Sequence, residues 1–527
     1  MTDKLKAMTG REGKQVMDGG ARRWWLLVTV SVGLLLITLD MSVLYTALPT
    51  LTEDLGADAS QKLWIINAYP LVMAGLLLGA GTLGDRVGHK RMFLVGLALF
   101  GAASAVAAFA STPAVLIGGR ALLAVGAAAM MPATLSLIRV TFEDERERNV
   151  AIGVWGSMSV VGSALGPVLG GLLLEYFWWG SVFLINVPVV LLSLIAVALL
   201  TPGDTHHSDK PWDFVASLLV MTGLVGLVYA VKEITKPGPE PLHVVLALLV
   251  SAAGFTLFVR RQRRQAHPLL DFALLRHPHI LSGIVAAALA MFGTAGLQLI
   301  LTQRLQLVVG LSPLHAGLLV AAFAVGCLPS GVVAGSLAWR TGPRPLIVGG
   351  LLTAAAGVLL ALLLTPGTVP FLQIHPDHPV WIVPGLIVAG VGTGLAMTAA
   401  SAAIMGNAPA HRAGMAASVE EVSYELGSLF GVAVLGSALT SLYTVTVRLP
   451  EGTPSAAEDS LDQALKTSES LPADQADTLL DAARTAFDNG YVVTLLIITA
   501  VLTIGGAVTA RLLSRAAAPT KQTEPVA

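Results

Sequence analysis

A single cysteine, Cys327, in a chain of 527 residues excludes an intrachain disulfide and a cysteine-ligated zinc site, and with them redox chemistry. Charge is scarce as well: 12% of the residues are Asp, Glu, Lys or Arg, against about 25% in soluble domains. The formal net charge of -1 offers no field for nucleic acid, which is not expected as a partner. The chain lacks a phosphate-cradling glycine loop followed by Lys-Ser/Thr, a metal-ligand spacing and a nucleotide-binding domain. The sequence therefore predicts no enzyme, no metal and no cofactor. The pair His206-His207 reads as part of a solvated loop.

What the chain has in abundance is apolar sequence, 54% of all residues. Continuous runs of about 20 residues, long enough to cross a hydrocarbon core about 30 Å thick, recur from Trp24 almost to Arg515. Barrel strands would alternate over about 10 residues, so these runs are expected to be helices that bond their own backbone within lipid. About fourteen spans are expected by the length rule. They begin near Trp24, Leu63, Met92, Val115, Ala151, Ser181, Phe214, Leu242, Ile280, Ala316, Pro345, Val380, Met415 and Tyr491. An even count puts both termini on one side. Arg86, Lys90 and Arg91, then Arg260, Arg261, Arg263 and Arg264, then Arg340 and Arg344, Arg412, and the tail with Arg511, Arg515 and Lys521 all fall on that side. Positive loops mark the cytoplasm. Residues 1–23, with Lys4, Lys6, Arg11, Lys14, Arg22 and Arg23, read as a cytoplasmic tail and not a removed signal peptide.

The opposite side carries Glu53, Asp54, Asp58 and an acidic stretch from Glu451 to Asp488. There Leu461 and Leu465, then Leu479, Leu480, Ala483 and Phe487, recur at helical spacing. Two short amphipathic helices are expected, with Asn489-Gly490 as the stop before the last span. A partly ordered connector and a lid over the exit both fit this stretch.

Acids inside the spans carry the chemistry, because an ionised carboxylate within a bilayer costs several kcal/mol and persists facing a cavity or a partner. Asp40 lies about two thirds of the way across the first span. Left unpaired, it suits reversible proton binding and attracts a cation once ionised; a structural pair with a basic residue is the alternative. In the thirteenth span Glu421 and Glu425 share a face, and Glu420 points about 100° away. Like charges on one face oppose joint ionisation, so a proton and a cationic solute can compete there. Glu420 and Glu425 could instead cap or brace neighbouring helices. Gly162, Gly166 and Gly170 form a small-residue stripe on one helix face, with Pro167 adding a bend and Gly171 following. Trp64, Tyr69, Met73, Trp155, Met158, Phe292, Met397 and Tyr424 are candidates to line a cavity for flat cations, or simply packing residues.

The turn Gly81-Thr82-Leu83-Gly84-Asp85-Arg86-Val87-Gly88-His89-Lys90-Arg91 has an echo in Trp339-Arg340-Thr341-Gly342-Pro343-Arg344, as expected of a duplicated transporter. The first resembles the signature turn of the major facilitator superfamily. Leu39-Asp40-Met41 through Leu48-Pro49, and Leu63-Trp64-Ile65-Ile66-Asn67-Ala68-Tyr69, look like the fourteen-span drug:proton antiporters. Gly162 to Gly171 is similar to the motif its exporters share. Leu305-Gln306-Leu307-Val308-Val309-Gly310-Leu311-Ser312-Pro313 and Ser423-Tyr424-Glu425-Leu426-Gly427 are similar to the quaternary-ammonium and dye efflux proteins.

The resemblance implies an all-α membrane fold of two six-helix bundles, 24–200 and 266–513, the second including an extracellular loop at 444–489. Two inserted helices in 201–265 and short cytoplasmic tails, 1–23 and 514–527, complete it. It implies export of lipophilic cations by alternating access, driven by the proton gradient, by a protein of the bacterial cell membrane that is expected to be monomeric. Asp40, Glu421 and Glu425 match the family's acids for substrate and proton. The helix with the stripe is implied to control closure, which ordinary close packing does not exclude. Arg120 matches the basic position of an Arg-x-x-Gln-Gly motif tied to proton coupling, but Leu123 and Ala124 replace its last two residues, and structural support of an acid is an equal reading. Asn67 and Cys327 stand where relatives carry aspartates, which predicts a preference for singly over doubly charged cations. An exporter of a self-made antibiotic, a facilitator of another metabolite and a channel are the competing classes. The scarcity of buried basic residues argues against anion import, and nothing resembles a selectivity filter.

Overall fold

The computed structural model describes residues 2–142, 144–200, 213–235, 239–265, 268–270, 272–366, 378–408, 413–450 and 453–516. The His206-His207 pair, Arg412, Glu451 and Lys521 lie outside them, as do the side chains of Asp85 and Arg515. Among the described residues the fold is helical, without strands. A first group comprises α1 (Thr2–Leu55), α2 (Ala59–Val87), α3 (His89–Ala108), α4 (Pro113–Thr141), α5 (Glu145–Tyr176), α6 (Ser181–Leu184) and α7 (Asn186–Leu200). Then come α8 (Phe214–Thr235) and α9 (Pro241–Arg264). The last group is α10 (Phe272–Leu275), α11 (Pro278–Gln303), α12 (Pro313–Thr341), α13 (Pro343–Leu363), α14 (Val383–Asn407), α15 (Ala413–Thr446), α16 (Leu461–Ser468) and α17 (Ala473–Ala516). A π-helical turn, Arg304–Val308, extends α11.

Twelve helices among the described residues are long and apolar enough to cross a membrane. Helices α2 and α5, of 29 and 32 residues, run alongside α4 and α1 within the first group. Turn chemistry sets the boundaries. Asp58 and Gln61 form a reciprocal capping box at the start of α2, with bonds of 2.7 and 3.0 Å. Gly88 (φ 102°) and Gly342 (φ 76°) separate α2 from α3 and α12 from α13. Each donates its N–H to the carbonyl four residues back, at 2.9 Å. The sequence echo between these turns is thus a shared backbone conformation in which a residue with a Cβ would be strained.

Two cores follow from this arrangement. One gathers Phe93, Phe100, Phe183 and the apolar faces of α1 to α7; the other gathers Leu351, Leu435, Tyr443 and Tyr491 from α11 to α17. Lipid is as apolar as a leucine side chain, so close approach of small residues holds helices together. A Cβ on Gly126 of α4 would lie 2.8 Å from the backbone nitrogen of Phe100 on α3. The second core repeats the device where Gly350 of α13 meets Gly392 and Ala396 of α14.

Helix α8 fills the seam between the two groups. Its Ala216, Val220, Leu224 and Val228 pack with Leu71 and Ala74 of α2 and with Leu429 and Ala433 of α15. Helix α9 packs on α8 and leaves Leu242, Val245 and Leu249 exposed. Arg261 grips Asp213 with two bonds of 2.8 and 2.9 Å, tying the end of α9 to the start of α8.

The final stretch departs from expectation. Ser460 caps α16 as a short amphipathic helix, but Asn489-Gly490 does not stop the second one: α17 is a continuous helix of 44 residues. Leu479, Ala483 and Phe487 are buried in the second core, and the absent side chain of Gly490 admits Leu439, whose Cδ1 would lie 2.8 Å from a Cβ there. Tertiary packing outweighs a penalty of about 1 kcal/mol for mid-helix glycine. The span expected from Ser181 is present as Ser181–Leu199, with a single turn residue, Ile185, between α6 and α7.

Candidate functional site

Arg120 of α4 and Asp40 of α1, only 1% and 0% exposed, form an ion pair in the middle of the first group. Asn186, the residue just after the α6 break, donates its amide to Asp40 Oδ1 and to Ser104 Oγ, both at 3.3 Å. The guanidinium lies 4.7 Å from the centroid of the Tyr69 ring and 5.9 Å from that of Phe183. Asp40 is thus not the lone acid facing a cavity that its sequence position suggests. A dry carboxylate needs a counter-ion, and Arg120 supplies it. Arg120 Nε, Asn186 Oδ1 and the Tyr69 hydroxyl have no hydrogen-bond partner among the described residues.

The three acids of α15 divide. Glu420 is braced: Tyr424 donates its hydroxyl to Oε1 at 2.7 Å, and Ser401 of α14 also bonds it. Glu421 is half-buried between the charges of Glu420 and Glu425. Glu425, 6% exposed, has Oε2 without a partner among the described residues and lies in the field of Arg120. One turn on, Ser428 shares a hydrogen bond with Tyr45 of α1. Arg120 therefore has one acid from each group within electrostatic reach. It is bonded to Asp40, while Glu425 keeps one carboxyl oxygen without a partner among the described residues.

The glycine stripe of α5 serves close contact with α1. A Cβ at Gly162 would lie 3.0 Å from the carbonyl of Leu35, at Gly166 2.8 Å from Ser42 Cβ, and at Gly170 2.6 Å from Val43 Cγ2. Ser42 Oγ donates to the carbonyl of Gly162 at 3.2 Å. The other side of α5 meets the second group: Gly171 packs on the backbone of Leu314, and the Pro167 carbonyl fills the space beside Gly317. At the far end of α2, Gly81 lies beside Ser418 of α15, and Arg86 is exposed.

The aromatic candidates do not form one cavity. Tyr69 belongs to the Arg120 cluster and Tyr424 to Glu420. Trp64 and Asn67 line a narrow throat beside α8. Phe292 packs in the second core beside Gly431, where Met397 also packs, and Met73 is fully buried in the first core. Trp155 and Met158 are half-buried on α5, with Trp155 Nε1 unpartnered among the described residues. Asn186, Ser104, Tyr45 and Ser428 were missed. Asn186 carried a usable signal, a carboxamide inside an apolar run.

Comparison with known proteins bears on this arrangement. The model of the Major Facilitator Superfamily matches residues 30–432. The chain is 39% identical to the methyl viologen resistance protein SmvA of Salmonella typhimurium, over 88% of this chain and 93% of that one. It is 40% identical to the multidrug efflux pump LfrA of Mycolicibacterium smegmatis, over 92% and 95%. Among solved structures, a bacterial homolog of the human lysosomal transporter Spinster shares the fold, with a TM-score of 0.63 at 17% identity, covering 93% of this chain and 98% of that one. With the family model spanning most of the sequence and relatives matched over nearly their whole length, the chain belongs to the Major Facilitator Superfamily, as a multi-pass membrane transporter and not an enzyme.

Proposed function

We propose that the chain is a proton-coupled antiporter that exports lipophilic, mainly cationic drugs, dyes or quaternary ammonium compounds from the bacterial cytoplasm by alternating access. The observation that carries the reading is Glu425, a buried carboxyl with a free oxygen on α15, beside an Arg120–Asp40 pair on α4 and α1. With Glu425 protonated, Arg120 serves Asp40 alone. With Glu425 ionised, two acids share one guanidinium, and the uncompensated negative charge attracts a cation. Proton and cationic solute then compete for one site, and Glu421 on the same face adds a second acid to the competition. The relatives named for efflux and resistance support small-molecule drugs as the cargo.

In this reading α2 and α5 complete fourteen crossings with the twelve apolar helices. The helix ends bearing Arg86, Arg260, Arg263 and Arg344 mark the cytoplasmic side, where both termini lie. The segment before α17 is then external. The chain works as a monomer, without cofactor, on the proton gradient. A relative named for tetracenomycin C resistance and export, 32% identical, supports a self-made antibiotic as a second substrate class.

Everted vesicles test the assignment. Glu425→Gln is expected to bind ethidium and exchange it down its gradient, without response to a pH difference. Full pH-driven accumulation by this variant contradicts the role given to Glu425.

A further inference from the structure

At the end of the molecule that carries α16, a cavity of about 410 Å³ opens between α2, α8 and α15. Three carboxylates, Asp58, Glu233 and Asp459, stand in its wall beside the Tyr229 ring and one ammonium, Lys232. Asp58 is engaged in capping α2, and Glu233 accepts from the Glu240 N–H at 3.3 Å. Asp459 is exposed on the connector before α16. Lys232 bonds Ser60 Oγ, with its nitrogen 5.8 Å from the centroid of the Tyr229 ring.

A throat of about 10 Å³, room for about one water, shares Leu63, Lys232 and Ser437 with this cavity and is also walled by Trp64 and Asn67. Two deeply buried oxygens in these walls lack partners among the described residues. Ser437 Oγ, in a residue 3% exposed, lines both chamber and throat, and Asn67 Oδ1, in a residue 1% exposed, lines the throat. Unsatisfied buried oxygens are costly and call for a donor or a positive charge. The chamber has the volume of a small-molecule site.

We propose that this chamber is a second, outer binding site for an organic cation. The excess of acids draws the charge, and the Tyr229 ring offers a face to it. Ser437 supplies, at the neck, an oxygen unpartnered among the described residues. Lys232 at the neck repels a cation that would pass back toward Asn67, so the site holds cargo on the outer side. The inference rests on the export reading, which places this end outside. The same chemistry could come from exported solute or from the ammonium headgroup of a lipid.

Tetraphenylphosphonium binding by equilibrium dialysis tests this on the full chain, in nanodiscs of phosphatidylglycerol with and without phosphatidylethanolamine. Two cations per chain are expected in phosphatidylglycerol. Asp459→Asn and Tyr229→Leu should each weaken the second by about three- to tenfold. The affinity of the first, unchanged, reports that each variant is folded. Loss of the second site only with phosphatidylethanolamine supports the headgroup as the occupant, and retention supports exported solute. One cation per chain, or a second whose affinity neither variant moves, overturns the chamber while leaving export intact. No binding at all overturns both.

Discussion

A fully buried arginine is held by what surrounds it, and Arg120 has a carboxylate on one side and an aromatic face on another. Truncating one member of such a pair leaves a dry, uncompensated charge, at a cost of about 3–5 kcal/mol. Arg120→Ala should therefore lower the melting temperature in detergent sharply, and adding Asp40→Asn should recover part of the loss. A double variant less stable than Arg120→Ala alone contradicts the pairing. Glu425→Gln removes no partner and should melt near the wild type. With neutral Asn67 and Cys327, the wild type is expected to transport tetraphenylphosphonium in preference to methyl viologen, which carries two charges. Equal transport of both by the wild type contradicts the preference. The acids were legible because a carboxylate in an apolar run is conspicuous. Their partnerships were not: Arg120 lies 80 positions from Asp40 in sequence, and only the packing of α4 on α1 joins them.

At the scale of elements, α5 is a spacer with glycines on two sides, Gly162, Gly166 and Gly170 toward α1 and Gly171 toward α12. Gly166→Leu drives a side chain into Ser42 and the Val43 backbone, and overpacking of this kind costs about 1–3 kcal/mol. Reduced stability together with lost efflux is the expected result. Wild-type efflux from a Gly166→Leu protein would mean that α1 and α5 need not touch during transport. The stripe was plain in the sequence, because spacing of four marks one helix face, but its partner was not. The interior of α17 shows the opposite case. Asn489-Gly490 has the chemistry of a helix stop, yet the burial of Phe487 and the close fit of Leu439 on Gly490 keep the helix intact. Local signals fail where a long-range contact supplies more free energy than the turn would.

At the scale of the whole molecule, two helical groups meet along α5 with α12 and α2 with α15, and α8 closes the seam. At the end that carries α16, two polar links among the described residues cross between them. Gln306 Nε2 donates to the carbonyl of Thr46 at 2.9 Å, and Lys62 pairs with Asp462. An alternating-access cycle must part this end, so Lys62→Asp should raise the rate of cation release while the double reversal Lys62→Asp/Asp462→Lys restores it, as read by stopped-flow dye efflux. Twelve of the fourteen expected runs coincide with helices long and apolar enough to cross a membrane, and these were readable from length because hydrocarbon thickness sets it. The way the groups interlock was not, since it depends on which small residues find each other across hundreds of positions. The central claim, exchange of a cation for a proton, is tested most directly in proteoliposomes with an acid lumen, with lumenal pH followed by fluorescence as tetraphenylphosphonium is added outside. The account predicts proton release that needs both the cation and Glu425; a lumenal pH that ignores the cation, in folded protein, would contradict it.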